Sequence, residues 1–152
     1  MSPLESGRWS DETIVITGGS QGIGLALATE LAGRCRMLTL IARDTDRLRQ
    51  TAEMLQCDYV AVDVCDTQAL ALPALANCTM LICCAGEIIP GRVTELTPEV
   101  FQRQIDINFI GTTNAVHHAL PNMVKTGRGT IVLMSSTASS IGIYGYAAYQ
   151  GG

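Results

Sequence analysis

Short apolar runs alternate with longer amphipathic segments along the chain. Five of the runs are rich in valine, isoleucine or leucine, as is typical of strands buried on both faces of a sheet. They lie near Thr13–Thr17, Met37–Ala42, Tyr59–Val62, Met80–Cys84 and Thr130–Ser135. The helical candidates between them lie near Ile23–Leu31, Asp46–Leu55 and Gln68–Leu75, and a long one extends from Pro98 onward. This alternation predicts an α/β fold with a doubly wound parallel sheet and crossover helices.

The long helical candidate begins with a start signal. Thr97 can serve as the N-cap, and Pro98 stands in the first turn, where its missing N–H costs nothing. No internal repeat or low-complexity linker separates the elements. We therefore expect residues 1–152 to form a single domain.

The composition is that of one globular unit with a sizeable core. Of the 152 residues, 47% are hydrophobic and 16% are charged, which is too few charges for a disordered chain. The formal net charge is −4, and the basic residues form no stripe that could neutralise a phosphate backbone. Nucleic acid is therefore not expected as a partner.

The amino terminus and the most apolar region argue against export and membrane insertion. The first residues include acidic ones such as Glu5 instead of a basic segment followed by an apolar stretch, so no secretory signal is predicted. The apolar region 69–85 is interrupted by Pro73 and Asn77, whereas a membrane span needs about 18 or more apolar residues in a row. We therefore expect a cytoplasmic protein. Peripheral membrane association of a full-length parent stays open.

The cysteines and histidines do not have the spacing of a metal site. The six cysteines contain no Cys-x-x-Cys pair, and neither His117 nor His118 stands at zinc-ligand spacing from a cysteine. We expect reduced and mostly buried thiols, no metal, and an exposed or interface role for the two histidines.

A glycine-rich segment follows the first predicted strand and opens a helical stretch, which is the context that a dinucleotide-binding turn requires. Its glycines would let the backbone turn tightly and approach a pyrophosphate, and the helix N-terminus would add a favourable dipole. The expected contacts in this turn are Gly18, Ser20, Gln21, Gly22, Ile23 and Gly24. The alternative is a plain strand-to-helix connection. A nucleoside-triphosphate hydrolase is disfavoured, because its loop would end in Gly-Lys-Ser/Thr.

The end of the second predicted strand bears on the choice of cofactor. A fold that prefers NAD usually places an acidic residue about twenty residues beyond the glycines, whereas an arginine accommodates a 2′-phosphate. Here Ala42 leaves the usual acidic position neutral, and Arg43 offers a guanidinium suited to phosphate. We therefore expect NADP(H) rather than NAD(H). Two alternatives stay open for Asp44: it could hold the ribose while Arg43 is merely solvated, or it could cap the next helix.

Several spaced motifs stand in one order along the chain. They are Thr17 to Gly24, Asp63-Val64, Cys83-Cys84-Ala85-Gly86, Asn108, Ser136 and Tyr149. In this order and spacing they resemble the short-chain dehydrogenase/reductase family. That family has Thr-Gly-x-x-x-Gly-x-Gly, an Asp-Val that contacts adenine, Asn-Asn-Ala-Gly, and a catalytic asparagine, serine and tyrosine. The resemblance covers nearly the whole chain.

The resemblance implies a role for each matching residue. Tyr149 would exchange a proton with the substrate oxygen, and Ser136 would polarise the carbonyl while nicotinamide transfers hydride. Asn108 would be the catalytic asparagine, although its amide could instead mark a structural kink. Further cofactor contacts would come from Asp63, Val64, Ala85 and Gly86. The two cysteines in place of asparagines lead us to expect weaker local bonding, because sulfur bonds weakly.

The resemblance also implies a lysine four residues after the tyrosine. Free tyrosine has a pKa of about 10, so a nearby cation must lower it for acid–base work near neutrality. The given chain ends at Gly152, one residue before that position, and no spacing argument brings its only lysine, Lys125, to Tyr149. We therefore expect an amino-terminal fragment with a Rossmann-type sheet truncated after about five strands. Its dinucleotide-binding domain, residues 1–152, would be incomplete at its C-terminal end, inactive alone, and unstable or aggregating.

The expected activity is an NADP(H)-dependent oxidoreductase acting on a small-molecule carbonyl or secondary alcohol, with a homo-oligomer for the full-length protein. The stretch from Gly142 to Tyr149 and the Cys-Cys-Ala-Gly motif resemble the 3-ketodihydrosphingosine reductase branch, which implies a long-chain keto substrate. One alternative is a non-catalytic NADP(H)-binding or sensing module, and residue 153 of the parent would discriminate between the two. Another is an α/β domain without a nucleotide.

Overall fold

The computed structural model describes residues 9–151. The prediction of no secretory signal rests mainly on residues 1–8, which lie outside this range. The five strands are β1 (Thr13–Thr17), β2 (Met37–Ala42), β3 (Asp58–Ala61), β4 (Met80–Cys83) and β5 (Thr130–Leu133). All their pairings are parallel, in the order β3-β2-β1-β4-β5. The predicted α/β parallel sheet is confirmed.

The helices lie where the crossovers were predicted. They are α1 (Gly22–Leu31), α2 (Thr45–Leu55), α3 (Pro73–Asn77), α4 (Pro98–Ile105), α5 (Gly111–Thr126) and α6 (Ala147–Gln150). A π-helical segment, Asp106–Ile110, joins α4 to α5 without a break, and a 3₁₀ turn, Thr137–Ser139, follows β5. No helix within residues 9–151 is long and apolar enough to cross a membrane.

The third helix differs from its prediction. It begins at Pro73 instead of near Gln68, because the residue before a proline is held in extended backbone and Leu72 has φ −98° and ψ 136°. The residues before it form turns around Asp66, whose Oδ1 accepts the N–H groups of Gln68 and Ala69 at 3.0 and 2.9 Å. The carboxylate therefore satisfies two backbone donors within these turns.

Two smaller predictions also need correction. β3 begins and ends one residue earlier than predicted, and β4 and β5 end one and two residues earlier. Thr97 is the N-cap of α4, but its side chain makes no capping bond to the backbone. Its hydroxyl bonds the Glu99 carboxylate instead, which lowers the pKa of Glu99.

The core has two layers, one on each face of the sheet. Val15 of β1 faces the layer that also holds Leu81 and Ala119, under α3 and α5. Its neighbours Ile14 and Ile16 face the opposite layer, under α1 and α2. Successive side chains of a strand point to opposite faces, so burial on both faces accounts for the continuous apolar run in β1.

Candidate active site

A cleft of about 830 Å³ opens at the carboxyl ends of the strands. It lies where the chain order reverses, since β1 pairs with β2 on one side and with β4 on the other. Such a switch point is where open α/β sheets bind ligands. The lining includes Gly18, Ser20, Gln21, Gly22, Ile23, Arg43, Val64, Ala85, Gly86 and Tyr149. Four other residues expected at the site, Gly24, Asp63, Asn108 and Ser136, do not line it.

The glycine turn closes tightly against the loop after β4. Gly18 has φ +71°, and a Cβ atom there would lie 2.7 Å from the backbone nitrogen of Ala85 and the carbonyl oxygen of Cys84. A Cβ at Gly24 would lie 2.3 Å from the carbonyl oxygen of Gly18. Gly24 therefore acts behind the cleft, by letting α1 pack onto the turn, while Gly18 lets two loops meet.

Arg43 lies between two carboxylates. Its Nη1 is 3.6 Å from Oδ2 of Asp63, and its Nη2 is 3.9 Å from Oε1 of Glu87. The Arg43 side chain is 47% exposed, so it is open to the cleft and to solvent. Glu87 also pairs with Arg103, whose Nη2 donates to Oε1 at 2.8 Å and whose Nε donates to Oε2. This pairing lowers the pKa of Glu87 against the opposing effect of its burial.

A second arginine stands beside Arg43. Arg47 lines the cleft in the first turn of α2, and its Nη1 donates to Oε1 of Gln21 in the glycine turn. Its Nη2 lies 3.4 Å from Oδ2 of Asp44. Oδ1 of Asp44 accepts the N–H of Arg47 at 3.0 Å, so Asp44 caps α2. Of the two alternatives left open for Asp44, the structure shows the cap.

Asn108 holds a loop and does not line the cleft. It lies in the π-helical segment, where its Oδ1 accepts the Glu87 N–H at 2.8 Å and its Nδ2 donates to the Glu87 carbonyl at 3.1 Å. Asn114, farther along the same helix, donates to the carbonyl of Val64 at 3.0 Å. The amides of this helix thus fix the loops after β3 and β4.

Tyr149 and Ser136 come from adjoining segments but take different positions. Tyr149 lies in α6, is half-buried and lines the cleft. Ser136 follows β5, and its Oγ accepts the Ala138 N–H at 3.2 Å, which caps the 3₁₀ turn. The two segments are joined by Gln150, whose Nε2 donates to the carbonyl of Ala138 at 2.8 Å.

Two rim loops contact each other: the loop after β4, residues 84–97, which contributes Ile88 to the cleft, and the segment before α6, residues 140–146, which precedes Tyr149. The N–H of Gly91, in the loop after β4, donates to the carbonyl of Gly145 at 2.8 Å. The guanidinium carbon of the next residue, Arg92, lies 5.9 Å from the ring centroid of Tyr144, within cation–π range. The loop after β4 and the segment before α6 are therefore joined.

Thr17 supplies the bonding that the cysteines at positions 83 and 84 were expected to weaken. The Thr17 carbonyl accepts the Cys84 N–H at 3.0 Å, and the Thr17 hydroxyl accepts the Ala85 N–H at 3.3 Å. Burial raises the pKa of Cys83 to about 12, so this thiol stays protonated. The expectation of weaker bonding here was wrong, because the strand partner provides the groups.

The other cysteines and the histidines have structural surroundings. All six cysteines are free, and burial raises the pKa of Cys57 and Cys78 to about 11. Nε2 of His118 lies 2.7 Å from the carbonyl oxygen of Thr67, while His117 is exposed. In the part of the chain that the structure describes, no group of three or more His, Cys, Asp or Glu side chains could hold a metal ion.

Sequence reasoning missed three charged residues of the cleft, Arg47, Glu87 and Arg103. A signal existed for Arg47, which lies four residues after Arg43, and for Glu87, which directly follows the Ala-Gly pair. No local signal marked Arg103, because only the fold brings it to the loop after β4.

Comparison with protein families and relatives gives one consistent result. A family model described as short chain dehydrogenase matches residues 12–152. The chain is 33% identical over 152 residues to a PIGF/3-ketodihydrosphingosine reductase fusion protein of Schizosaccharomyces pombe, covering 90% of this chain and 31% of that one. It is 30% identical over 153 residues to 3-ketodihydrosphingosine reductase of Bos taurus, covering 90% and 46%. The chain thus spans less than half the length of these relatives.

Solved structures share the fold. A short-chain type dehydrogenase/reductase from Mycobacterium ulcerans superposes with a TM-score of 0.86 at 27% identity, covering 93% of this chain and 57% of that one. A variant of actinorhodin polyketide ketoreductase, solved with NADPH, superposes with a TM-score of 0.83 at 25% identity, covering 93% and 59%.

Proposed function

The chain belongs to the short-chain dehydrogenase family, and from this premise we propose that its cleft binds a nicotinamide dinucleotide in an oxidoreductase of carbonyls and secondary alcohols. One observation carries the proposal. The glycine turn and Tyr149 stand more than a hundred residues apart in sequence yet line the same cleft, at the switch point of the sheet. A dinucleotide turn and a proton-transfer group are the two parts that this chemistry needs in one place.

The residues of the cleft fit the cofactor. The turn at Gly18 has no room for a side chain between the two loops. Because Gly18 lines the cleft without a side chain, a pyrophosphate could approach the backbone there closely. The residues that would hold the dinucleotide are Gly18, Ser20, Gln21, Gly22, Ile23, Arg43, Val64, Ala85 and Gly86. Asp63 does not line the cleft and would act through its pairing with Arg43. The cofactor supplies hydride chemistry when bound.

We propose NADP(H) as the preferred cofactor over NAD(H). Two arginines, Arg43 and Arg47, face the cleft near the end of β2, where a 2′-phosphate would lie. Asp44 is occupied as a helix cap, so its carboxylate is engaged with backbone rather than held ready for a ribose hydroxyl. A guanidinium forms charge-assisted bonds with phosphate, which favours the phosphorylated cofactor.

The proposed chemistry assigns proton transfer at the substrate oxygen to the Tyr149 hydroxyl. Ser136 lies three residues beyond the end of β5. It would donate its hydroxyl hydrogen to the same oxygen, where negative charge develops during reduction. The Ser136 Oγ already accepts the Ala138 N–H, which leaves its own proton free to be donated. The family's lysine would stand at position 153, so turnover is expected from a chain that carries it.

The surroundings of Tyr149 support an apolar substrate. Ile88 lines the cleft and is 51% exposed, and Ile143 on the joined rim segment is 36% exposed. Together with the relatives named 3-ketodihydrosphingosine reductase, these side chains lead us to propose a long-chain ketone as the substrate class.

Calorimetry of NADPH binding tests the cofactor assignment. Arg43→Ala should weaken NADPH binding about tenfold or more, since a hydrogen bond to a charged group contributes about 1.5–3 kcal/mol, while NADH binding should change little. Arg49→Ala is the matched control, because Arg49 also lies in the first turns after β2 but pairs with Asp46 away from the cleft. Failure of a folded sample to bind either dinucleotide would refute the proposal.

A non-catalytic NADP(H)-binding module is the second candidate. It is favoured by the intact turn and arginines, which need no proton-transfer group to bind the cofactor. Turnover of a long-chain ketone, lost in Tyr149→Phe while NADPH binding is kept, would exclude it.

A further inference from the structure

Gln104 is a completely buried amide outside the cleft. It lies in α4 with 0% exposure, and both of its polar atoms bond one residue of the loop after β4. Oε1 accepts the N–H of Ile89 at 3.1 Å, and Nε2 donates to the carbonyl of Ile89 at 3.3 Å. The side chain thus satisfies a backbone donor and acceptor as a neighbouring strand would.

Asn108 makes the same pair of bonds one turn later. It bonds the N–H and carbonyl of Glu87, two residues before Ile89. Four residues of helix rise about 6 Å, and two residues of extended chain span about 6.6 Å. The two amides therefore match the repeat of an extended segment, and together they form a side-chain ladder that holds residues 87–89.

The ladder fixes a wall of the cleft. Gly86 is so close to the ladder that a Cβ there would lie 3.2 Å from Oδ1 of Asn108. Glu87 and Ile88 line the cleft, and the Glu87 carboxylate lies between Arg103 and Arg43. The backbone position of residue 87 thus sets where a negative charge stands beside Arg43.

We propose that Gln104 is a positioning residue for the dinucleotide, acting through the loop after β4 as the second rung of the ladder that Asn108 begins. This inference rests on the proposed function of the cleft. An apolar side chain of the same size would fill the space but would leave the N–H and carbonyl of Ile89 without their partners. The loop would then lose its fixed distance from α4.

The test compares Gln104→Leu and Gln104→Glu with the wild-type chain. Leucine removes both bonds, whereas a glutamate in this fully buried position stays protonated and can both accept from the Ile89 N–H and donate to the Ile89 carbonyl. We expect NADPH affinity to fall about three- to tenfold in Gln104→Leu, as expected for losing neutral hydrogen bonds, and less in Gln104→Glu. Met123→Ala is the control for lost stability alone, since Met123 lies on the buried face of α5 and does not line the cleft. Equal loss of affinity in Met123→Ala would overturn the proposal.

Amide hydrogen exchange gives a readout that needs no cofactor. In Gln104→Leu the Glu87 N–H should exchange faster, although its own partner Asn108 is unchanged. In Met123→Ala the exchange rate at Glu87, relative to the rate at Ile82 in β4, should stay as in the wild type. Unchanged exchange at Glu87 would overturn the ladder as a unit. A wild-type chain that binds neither NADPH nor NADH would refute the proposed function, and faster exchange at Glu87 would then still support the positioning of the loop by Gln104.

Discussion

The glycines of the turn differ in what a side chain would meet. A Cβ at Gly24 would collide with the Gly18 carbonyl at 2.3 Å, whereas a Cβ at Gly22 would meet no atom of residues 9–151 within 4 Å. Gly22 has φ +55°, so an alanine there would be strained by about 1–2 kcal/mol without a clash. We expect Gly24→Ala to lower the Tm far more than Gly22→Ala and to abolish NADPH binding. Thermal denaturation and calorimetry of the two variants check this, and equal Tm losses would contradict it.

In the proposed complex, Glu87 would compete with the cofactor's 2′-phosphate for Arg43. Its carboxylate lies 3.9 Å from Arg43, whose side chain is half-exposed, and a pair that solvent reaches contributes about 0.2–1 kcal/mol. We expect Glu87→Gln to strengthen NADPH binding about two- to fivefold by leaving more positive charge to the phosphate, with little change for NADH. The measurement is calorimetry of both cofactors.

The same substitution in an Arg43→Ala background is the control for this competition. Glu87→Gln should then leave NADPH affinity unchanged, because the arginine that it releases is absent. A gain of equal size in both backgrounds would mean that Glu87 repels the phosphate directly.

At this scale the sequence predicted the residues that have a fixed spacing and missed those that meet only in three dimensions. The glycine turn, Arg43 and Tyr149 were found because a strand, a helix start or a neighbouring motif marks them. Gln104 was not found, since a glutamine in an amphipathic helix is normally exposed and nothing local shows that it is buried. Arg103 was missed for the same physical reason.

Among the elements, the amino ends of three strands are joined by one carboxylate. Glu12, just before β1, accepts a hydrogen bond from the Thr79 hydroxyl and pairs with Arg128 at 2.7 Å. The Thr79 hydroxyl bond lowers the pKa of Glu12 below its usual 4.5, burial opposes this, and Arg128 lowers it further. Glu12 thus ties β1 to β4 and to the residues before β5.

A lowered pKa gives Glu12 a defined effect of pH on stability. The carboxylate stabilises the fold fully above the unfolded value near 4.5, and this contribution is lost as pH falls through the lower folded pKa. We expect Glu12→Gln to be less stable than the wild type at pH 7 and the difference to shrink below pH 4.5. Tm measured from pH 7 to pH 3 checks this, with Glu30→Gln, an exposed carboxylate paired with Arg34, as the control. A difference that stays constant with pH would contradict it.

Element by element, strands were predicted better than helix details. A short apolar run bounded by turn residues has few possible structures other than a buried strand. The predicted ends of β1 and β2 accordingly agree with the observed ones. The π-helical segment Asp106–Ile110 was not predicted, because its apolar pattern is that of an ordinary helix. The start of α3 was not predicted, because the apolar pattern continues through Leu72, whose backbone Pro73 holds extended.

In the whole molecule, β5 is an edge of the sheet within residues 9–151, since β4 is its one strand partner there. Leu133 and Met134 at its end are 57% and 44% exposed. An unpaired edge with apolar side chains favours association between chains. We expect the 152-residue chain to self-associate and Leu133→Lys to raise the monomer fraction, as measured by light scattering after size-exclusion chromatography.

Tyr144→Lys is the control for this association, because Tyr144 is 79% exposed but does not lie on the sheet edge. It should leave the monomer fraction nearly unchanged. A monodisperse wild-type monomer would contradict the prediction.

The order of the strands is also a property of the whole sheet. Alternating strands and helices predict a parallel sheet, but the pattern alone does not tell which strand lies beside β1. The order β3-β2-β1-β4-β5 depends on contacts between elements that are distant in sequence. The resemblance implied a doubly wound sheet but no strand order, so the sequence did not predict which strands border the cleft.

The joined rim loops have a consequence for motion. Because the Gly91 N–H bonds the Gly145 carbonyl and Arg92 lies over the ring of Tyr144, neither loop can swing away from Tyr149 without breaking contacts of the other. Their movements should therefore share one exchange rate, on the microsecond to millisecond timescale of loop opening. When such opening is slower than the chemical step, product release sets the pace of turnover. Loosening these two contacts would then speed the proposed turnover without changing a reacting group.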